Sequence, residues 1–236
     1  MEPQPFTIFG TSHIITLVII LCLAIFFPRA YRNKSVSQKE NVAKILGISI
    51  IALELIKPFI WHSLDYPWIR LIPIHMCSLS GFFIGIFLLT KKRIFFEVAF
   101  FWGIGGGINA LITPDVTLTF PDPVYLLFFI GHGLLIVNIG YACIALSNRP
   151  TFDSVKNGIL FTLTILPIIY IINLLLGPPA NYWFLGTKPT EGQSIMDFFP
   201  DPPLHIPLLI IIGAFLFLLI YAPYWVYDKF KNPSVE

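Results

Sequence analysis

The chain has 236 residues, of which 56% are apolar and 12% charged, about half the charged share of an ordinary soluble domain. That composition, with a mean hydropathy of +0.79, excludes a water-soluble globule, and it excludes disorder and nucleic-acid binding as descriptions of the whole. The formal net charge of +2 is close to neutral, so the positions of Lys and Arg, not their excess, carry any charge argument.

A bilayer core about 30 Å thick needs roughly 20 apolar residues per helix. Seven runs of about that length follow one another along the chain. The first lies between Glu2 and Arg29, the second covers 42–59, and the third fills the uncharged stretch between Arg70 and Lys91. The fourth covers 94–112, the fifth lies between Asp122 and Arg149, the sixth covers 158–177 and the seventh 205–227. The leader MEPQPF has no basic residue before the first run, so that run is read as a span and not as a signal peptide. The pattern predicts an all-α polytopic membrane protein, one seven-helix domain over 1–236.

Seven spans place the termini on opposite sides. Twelve of the fifteen basic residues flank the first, third and fifth connections and the tail, as in Arg29 to Lys44, Lys91 to Arg93, Arg149, Lys156, Lys229 and Lys231. Lys57, Arg70 and Lys188 fall on the other side, together with Glu2, Asp65, Asp115, Asp122, Glu191, Asp197 and Asp201. The positive-inside rule therefore predicts an outer amino terminus and a cytoplasmic carboxyl terminus.

An ionisable group inside a span costs a few kcal/mol on insertion scales and asks for a partner or a purpose. Most such groups sit in the outer halves of the spans. Glu54 and Lys57 are spaced i,i+3 in the second, which suits an ion pair or a carboxylate that orients an imidazole from a neighbouring span. His75 and Cys77 open the third, Asn109 closes the fourth, His132 lies inside the fifth between Gly131 and Gly133, and Asn173 ends the sixth. Glu97 and Lys44, near the cytoplasmic side, read as flanking charges that snorkel or pair.

His75 and Cys77 are two residues apart and do not face each other on a helix. A base for a Cys77 thiol would come from another span, and His132 is the candidate, with His75 second. The competing reading of Cys77, and the preferred one for Cys22 and Cys143, is a small buried hydrophobe. No CxxC spacing suggests zinc or a disulfide framework. His62 and His205 lie near interfaces without metal spacing. Gly103 to Gly107, after Trp102, is a small-residue packing face and not a phosphate loop, since no Lys-Ser/Thr follows. The long 178–204 connection carries Asn181-Tyr182-Trp183-Phe184, either a headgroup belt or a loop lying over a lipid-facing site.

The ordered combination Pro73-Ile74-His75-Met76-Cys77, Phe101-Trp102-Gly103-Ile104-Gly105-Gly106, Leu111-Ile112-Thr113-Pro114-Asp115, Phe120-Pro121, Gly131-His132-Gly133, Arg149-Pro150-Thr151 and Asn173 to Gly177 with Asn181-Tyr182 resembles the YwaF-type bacterial integral membrane proteins. These are similar to the eukaryotic transmembrane protein 164 family. The resemblance covers nearly the whole chain. It implies a seven-span fold and acyl transfer to lysophospholipid from another phospholipid by way of a cysteine, which Cys77 matches.

The reading that joins these strands is an intramembrane acyltransferase or transacylase of the bacterial cytoplasmic membrane, working at the outer leaflet on phospholipid or lysophospholipid without nucleotide, metal or other cofactor. Cys77 would be the nucleophile and His132 or His75 its base. Asn109, Thr113 and Asn173 would donate to the oxyanion, and Asn181, Tyr182 and Trp102 would line the substrate site, with the Glu54–Lys57 pair in support. Cys77, His132 and Asn173 are expected to border one cavity open toward the outer leaflet. The alternatives are a transporter or small-molecule binder whose pathway the same groups line, and a structural membrane subunit.

Overall fold

The computed structural model describes residues 4–188 and 195–231; Glu2 and Glu191, two of the acidic residues counted above, lie outside them. Among the described residues the chain is helical with no strand, and a lone bridge joins Pro5 to Leu118. Its helices are α1 (Thr11–Tyr31), α2 (Val36–Ser63), α3 (Met76–Thr90), α4 (Arg93–Trp102), α5 (Ile108–Ile112), α6 (Pro123–Ile144), α7 (Phe152–Leu176) and α8 (Ile206–Lys231). A π-helical turn, Gly103–Gly107, runs α4 into α5 as one rod. Five rods are long and apolar enough to cross a membrane: α1, α4 through α5, α6, α7 and α8. The other two expected spans correspond to α2, which carries Glu54 and Lys57, and to α3, which is apolar but only 15 residues long.

Local chemistry sets the boundaries. A capping box between Ser35 and Gln38 opens α2, and one between Thr151 and Ser154 opens α7. Asp122 accepts from the Val124 and Tyr125 amides ahead of α6, with Pro123 at the first helical position, where its missing N–H costs nothing. Lys91 closes α3 in the left-handed conformation, φ 59°.

Burial separates a centre from a periphery. In the most apolar stretch of α6, and of α4 through α5, 56% of residues are buried within the protein, against 11% for α1, α7 and α8. Peripheral side chains such as Leu175, Ile211 and Phe215 are exposed, and so much open apolar surface belongs in lipid. Small residues bring the central helices close. A Cβ on Gly140 would fall 2.5 Å from the Ala24 carbonyl oxygen across α1 and α6, and one on Gly47 would fall 2.9 Å from that of Gly85 across α2 and α3. Tyr141 Oη donates to the Lys39 carbonyl, tying α6 to α2, and Tyr125 Oη donates to that of Ser12, tying α6 to α1. The 64–75 connection and residues 177–188 lie together at one end of the bundle, joined by the bond from Tyr182 Oη to the Ile69 carbonyl.

Candidate functional site

Cys77 is the second residue of α3. The first helical bond there runs from the Leu79 amide to the His75 carbonyl at 2.9 Å, so the Met76, Cys77 and Ser78 amides precede the ladder and give this end a partial positive charge. His75 is the N-cap residue but makes no side-chain cap. Its Nε2–H donates to the Arg70 carbonyl at 3.0 Å and its ring lies 4.6 Å from that of Tyr182, which fastens the 70–75 loop. Opposite the thiol stands the π turn. A Cβ on Gly106 would meet only Cys77 Sγ, at 3.5 Å, so the missing side chain makes room for the sulfur. The turn's other glycines pack elsewhere, Gly103 and Gly107 against Ile139, Leu135 and Ile136 of α6 and Gly105 against Leu216 of α8. The expected packing role of this segment is therefore realised, on three helices instead of one. π turns interrupt helices most often at functional sites.

The expected ion pair is present. Lys57 Nζ donates to Glu54 Oε1 at 2.7 Å, with the side chains 15% and 2% exposed. Among the described residues Glu54 Oε2 has no hydrogen-bond partner. Two glycines make space for the pair, since a Cβ on Gly81 of α3 would come 2.9 Å from Glu54 Oε1, and one on Gly131 of α6 would come 3.5 Å from Lys57 Nζ. His132 is half-buried, its ring tilted against that of Phe128 with centroids 4.3 Å apart, and it bonds the Phe128 carbonyl through Nδ1 at 2.9 Å. A carbonyl only accepts, so Nδ1 carries the proton and Nε2 of the neutral ring keeps its lone pair.

In the aromatic loop Tyr182 is buried and Trp183 half-buried, while Phe184 is exposed. Asn173, at the end of α7, clamps Tyr182 from both sides, with Oδ1 accepting from its amide at 2.8 Å and Nδ2 donating to its carbonyl at 2.9 Å. Tyr182 is fully buried, which pushes its phenol above the ordinary value and keeps it a donor to Ile69. Trp183 and Phe184 take left-handed backbone, φ 58° and 54°. Trp183 Nε1 donates to the Ile74 carbonyl at 2.9 Å, and its ring meets Trp102 edge-on at 5.1 Å. Beneath Trp183, between the π turn, α7 and α8, lies an apolar cavity of about 190 Å³.

Several side chains expected to meet substrate instead have partners in the protein. Asn173 is engaged with Tyr182. Asn181 Oδ1 accepts from the Gly186 and Thr187 amides while its Nδ2 donates to the Thr187 carbonyl, which shapes the loop. Trp102 Nε1 donates to Thr162 Oγ1 at 2.8 Å. Thr113 Oγ1 donates back to the Asn109 carbonyl, and Asn109 itself is exposed. Other residues turn out more deeply engaged than their positions suggest. His205 is fully buried and donates through Nε2 to the Phe184 carbonyl. His13 of α1 is buried with Nε2 donating to the Leu111 carbonyl and Nδ1 accepting from the Phe9 amide; an apolar-run histidine near a chain end gives no sign of such long-range bonds. Glu97 pairs with Arg93 but is buried and does not snorkel.

A bundle of helices with five rods long and apolar enough to cross a membrane among the described residues defines a multi-pass membrane protein. The chain belongs to the TMEM164 family, whose model matches residues 8–221 and so includes Glu54, Lys57, Cys77, Gly106, His132 and the Asn173–Tyr182 clamp. It is also 25% identical over 223 residues to an uncharacterized protein of Treponema pallidum (strain Nichols), a match that covers 93% of this chain and 90% of that one. No solved structure matches the chain.

Proposed function

We propose that the protein is an intramembrane transacylase of a bacterial cytoplasmic membrane that moves a fatty-acyl chain between phospholipid and lysophospholipid through a thioester on Cys77. In this reading all seven rods span the bilayer, and the end that bears the 64–75 connection and residues 177–188 faces outward. The observation that carries it is the placement of Cys77 at the amino end of α3, against the side-chain-free Gly106, together with a His132 ring whose Nε2 is held as acceptor.

The chemistry balances with these groups alone. His132 Nε2 takes the Cys77 proton, directly or through one water, as the sulfur attacks the ester carbonyl carbon. The oxyanion forms beside the leading amides of α3 and the Lys57 ammonium, which favour negative charge in a water-poor setting. Collapse breaks the carbon–oxygen ester bond, and the imidazolium proton passes to the departing oxygen, releasing lysophospholipid. An acceptor hydroxyl then gives its proton to Nε2, attacks the thioester and restores the thiol. One ester replaces another, so no nucleotide is required. His75 positions the loop above α3, and Asn173, Asn181 and Tyr182 hold that loop.

Transfer of an isotope-labelled acyl chain from phosphatidylcholine to a lysophospholipid, followed in nanodiscs, tests the reading. Cys77→Ser should fold and lose most transfer, because an alcohol is a far weaker nucleophile at neutral pH. His132→Ala should lower transfer by about 100-fold to 10,000-fold, the range of a positioned general base. Full transfer by Cys77→Ser would overturn the mechanism.

A further inference from the structure

The cavity beneath Trp183 is separated from the Cys77 sulfur by a residue without a side chain. Met76 and Gly106 line it on the side of α3 and the π turn, and a Cβ on Gly106 would stand 3.5 Å from Cys77 Sγ with no other heavy atom within 4 Å. From that gap the cavity extends between α7, at Thr162, and α8, at Gly213, where a Cβ would meet nothing within 4 Å. Polar side-chain groups in its lining are already bonded. The Thr162 hydroxyl accepts from Trp102 Nε1 and donates to the Gly158 carbonyl, and Trp183 Nε1 donates to that of Ile74. A water would find no free side-chain partner, and apolar cavities of this kind stay dry and take up hydrocarbon.

We infer that this cavity binds the alkyl chain of the lipid whose ester carbonyl stands at Cys77, and that Gly106 is the passage between chain and sulfur. The inference rests on the acyl-transfer reading for the identity of that carbonyl. Size fixes what enters. A cavity of 150 Å³ accommodates a six-carbon ring, so 190 Å³ holds roughly seven or eight carbons, a segment of one acyl chain and not a whole lipid. The headgroup stays outside, because the cavity lining holds no charged side chain. The cavity's size thus selects acyl chains by length, and Gly213 lines it on the α8 side.

Two measurements in nanodiscs test this. The first is acyl transfer from phosphatidylcholines of graded chain length by the wild type, Gly213→Phe and Gly106→Ala. Gly213→Phe fills open space and replaces a helical glycine, so it should fold, and it should shift preference toward shorter chains by at least about tenfold, the discrimination that one methylene earns in an apolar pocket. Gly106→Ala puts a methyl in ordinary contact with the sulfur and should lower transfer of every chain length. The second is photocrosslinking with phosphatidylcholine that carries a diazirine in its acyl chain, which should label α7 and α8 around Thr162 and Gly213 in the wild type and equally in Cys77→Ser. Transfer that persists with unchanged chain preference in Gly213→Phe and no label at these residues overturns the cavity assignment and leaves the transacylase reading intact. Label at these residues with no transfer by the wild type supports the cavity as an alkyl-chain site and overturns the transacylase reading.

Discussion

Glu54 and Glu97 are buried to nearly the same degree, with 2% and 3% of their surface exposed, yet their surroundings differ. Glu97 Oε1 accepts from Arg93 Nε at 2.9 Å and from Ser154 Oγ at 2.7 Å, and its Oε2 accepts from Asn157 Nδ2 at 2.8 Å. Arg93 goes on to the Arg149 carbonyl, and Arg149 pairs with Asp228 at 2.7 Å, so one network binds α4 to the start of α7 and the end of α8. Among the described residues Glu54 has Lys57 alone, with one oxygen unmatched by any donor. A network with every member satisfied fastens a fold. A half-matched buried pair departs from that pattern, and departures from full satisfaction occur at functional sites.

Separating stability from activity at the two carboxylates sharpens the contrast. Lys57→Met should have the largest effect on stability, because it leaves the Glu54 carboxylate buried without its counter-charge, a loss of about 3–5 kcal/mol when one partner of a buried pair is removed. Adding Glu54→Leu should restore the stability, measured by unfolding in detergent, while acyl transfer stays low; transfer returning with stability would reduce Glu54 and Lys57 to packing. Glu97→Gln should cost about 1–3 kcal/mol, the scale of an unsatisfied buried hydrogen-bonding group, and leave transfer per folded molecule unchanged. A fall in transfer by the folded variant would dissolve the distinction between the two sites. Position relative to the membrane has no stability cost and is read by labelling. A cysteine at Lys188, near the Glu54 end, should react with an impermeant reagent on intact cells and one at Lys34 should not; the reverse pattern would move the site to the inner leaflet.

The helices and the pair were legible because they follow from local spacing. Apolar runs of span length, charges between them and an i,i+3 Glu-Lys pair are visible along a single stretch of chain. The position of Cys77 at the head of its helix was equally readable from Pro73 and the flanking run. What spacing does not carry is a bond between distant segments. Trp183 reaches Ile74, Trp102 reaches Thr162 and Glu97 reaches Asn157 only once helices far apart in sequence are side by side. The fold of the 181–184 loop also depends on left-handed backbone at Trp183 and Phe184, where no glycine marks the turn. For the same reason, polar residues expected to face a substrate, Asn173 above all, proved to face the protein's own backbone.

The account turns on a covalent intermediate at one atom. Purified protein incubated with phospholipid and no acceptor, then weighed intact and mapped by peptide, should gain the mass of one acyl chain on Cys77. Neutral hydroxylamine should remove that mass, as it does a thioester, and Cys77→Ser should not acquire it. Acyl transfer that proceeds with Cys77 unmodified, or with the adduct on another residue, would contradict the account.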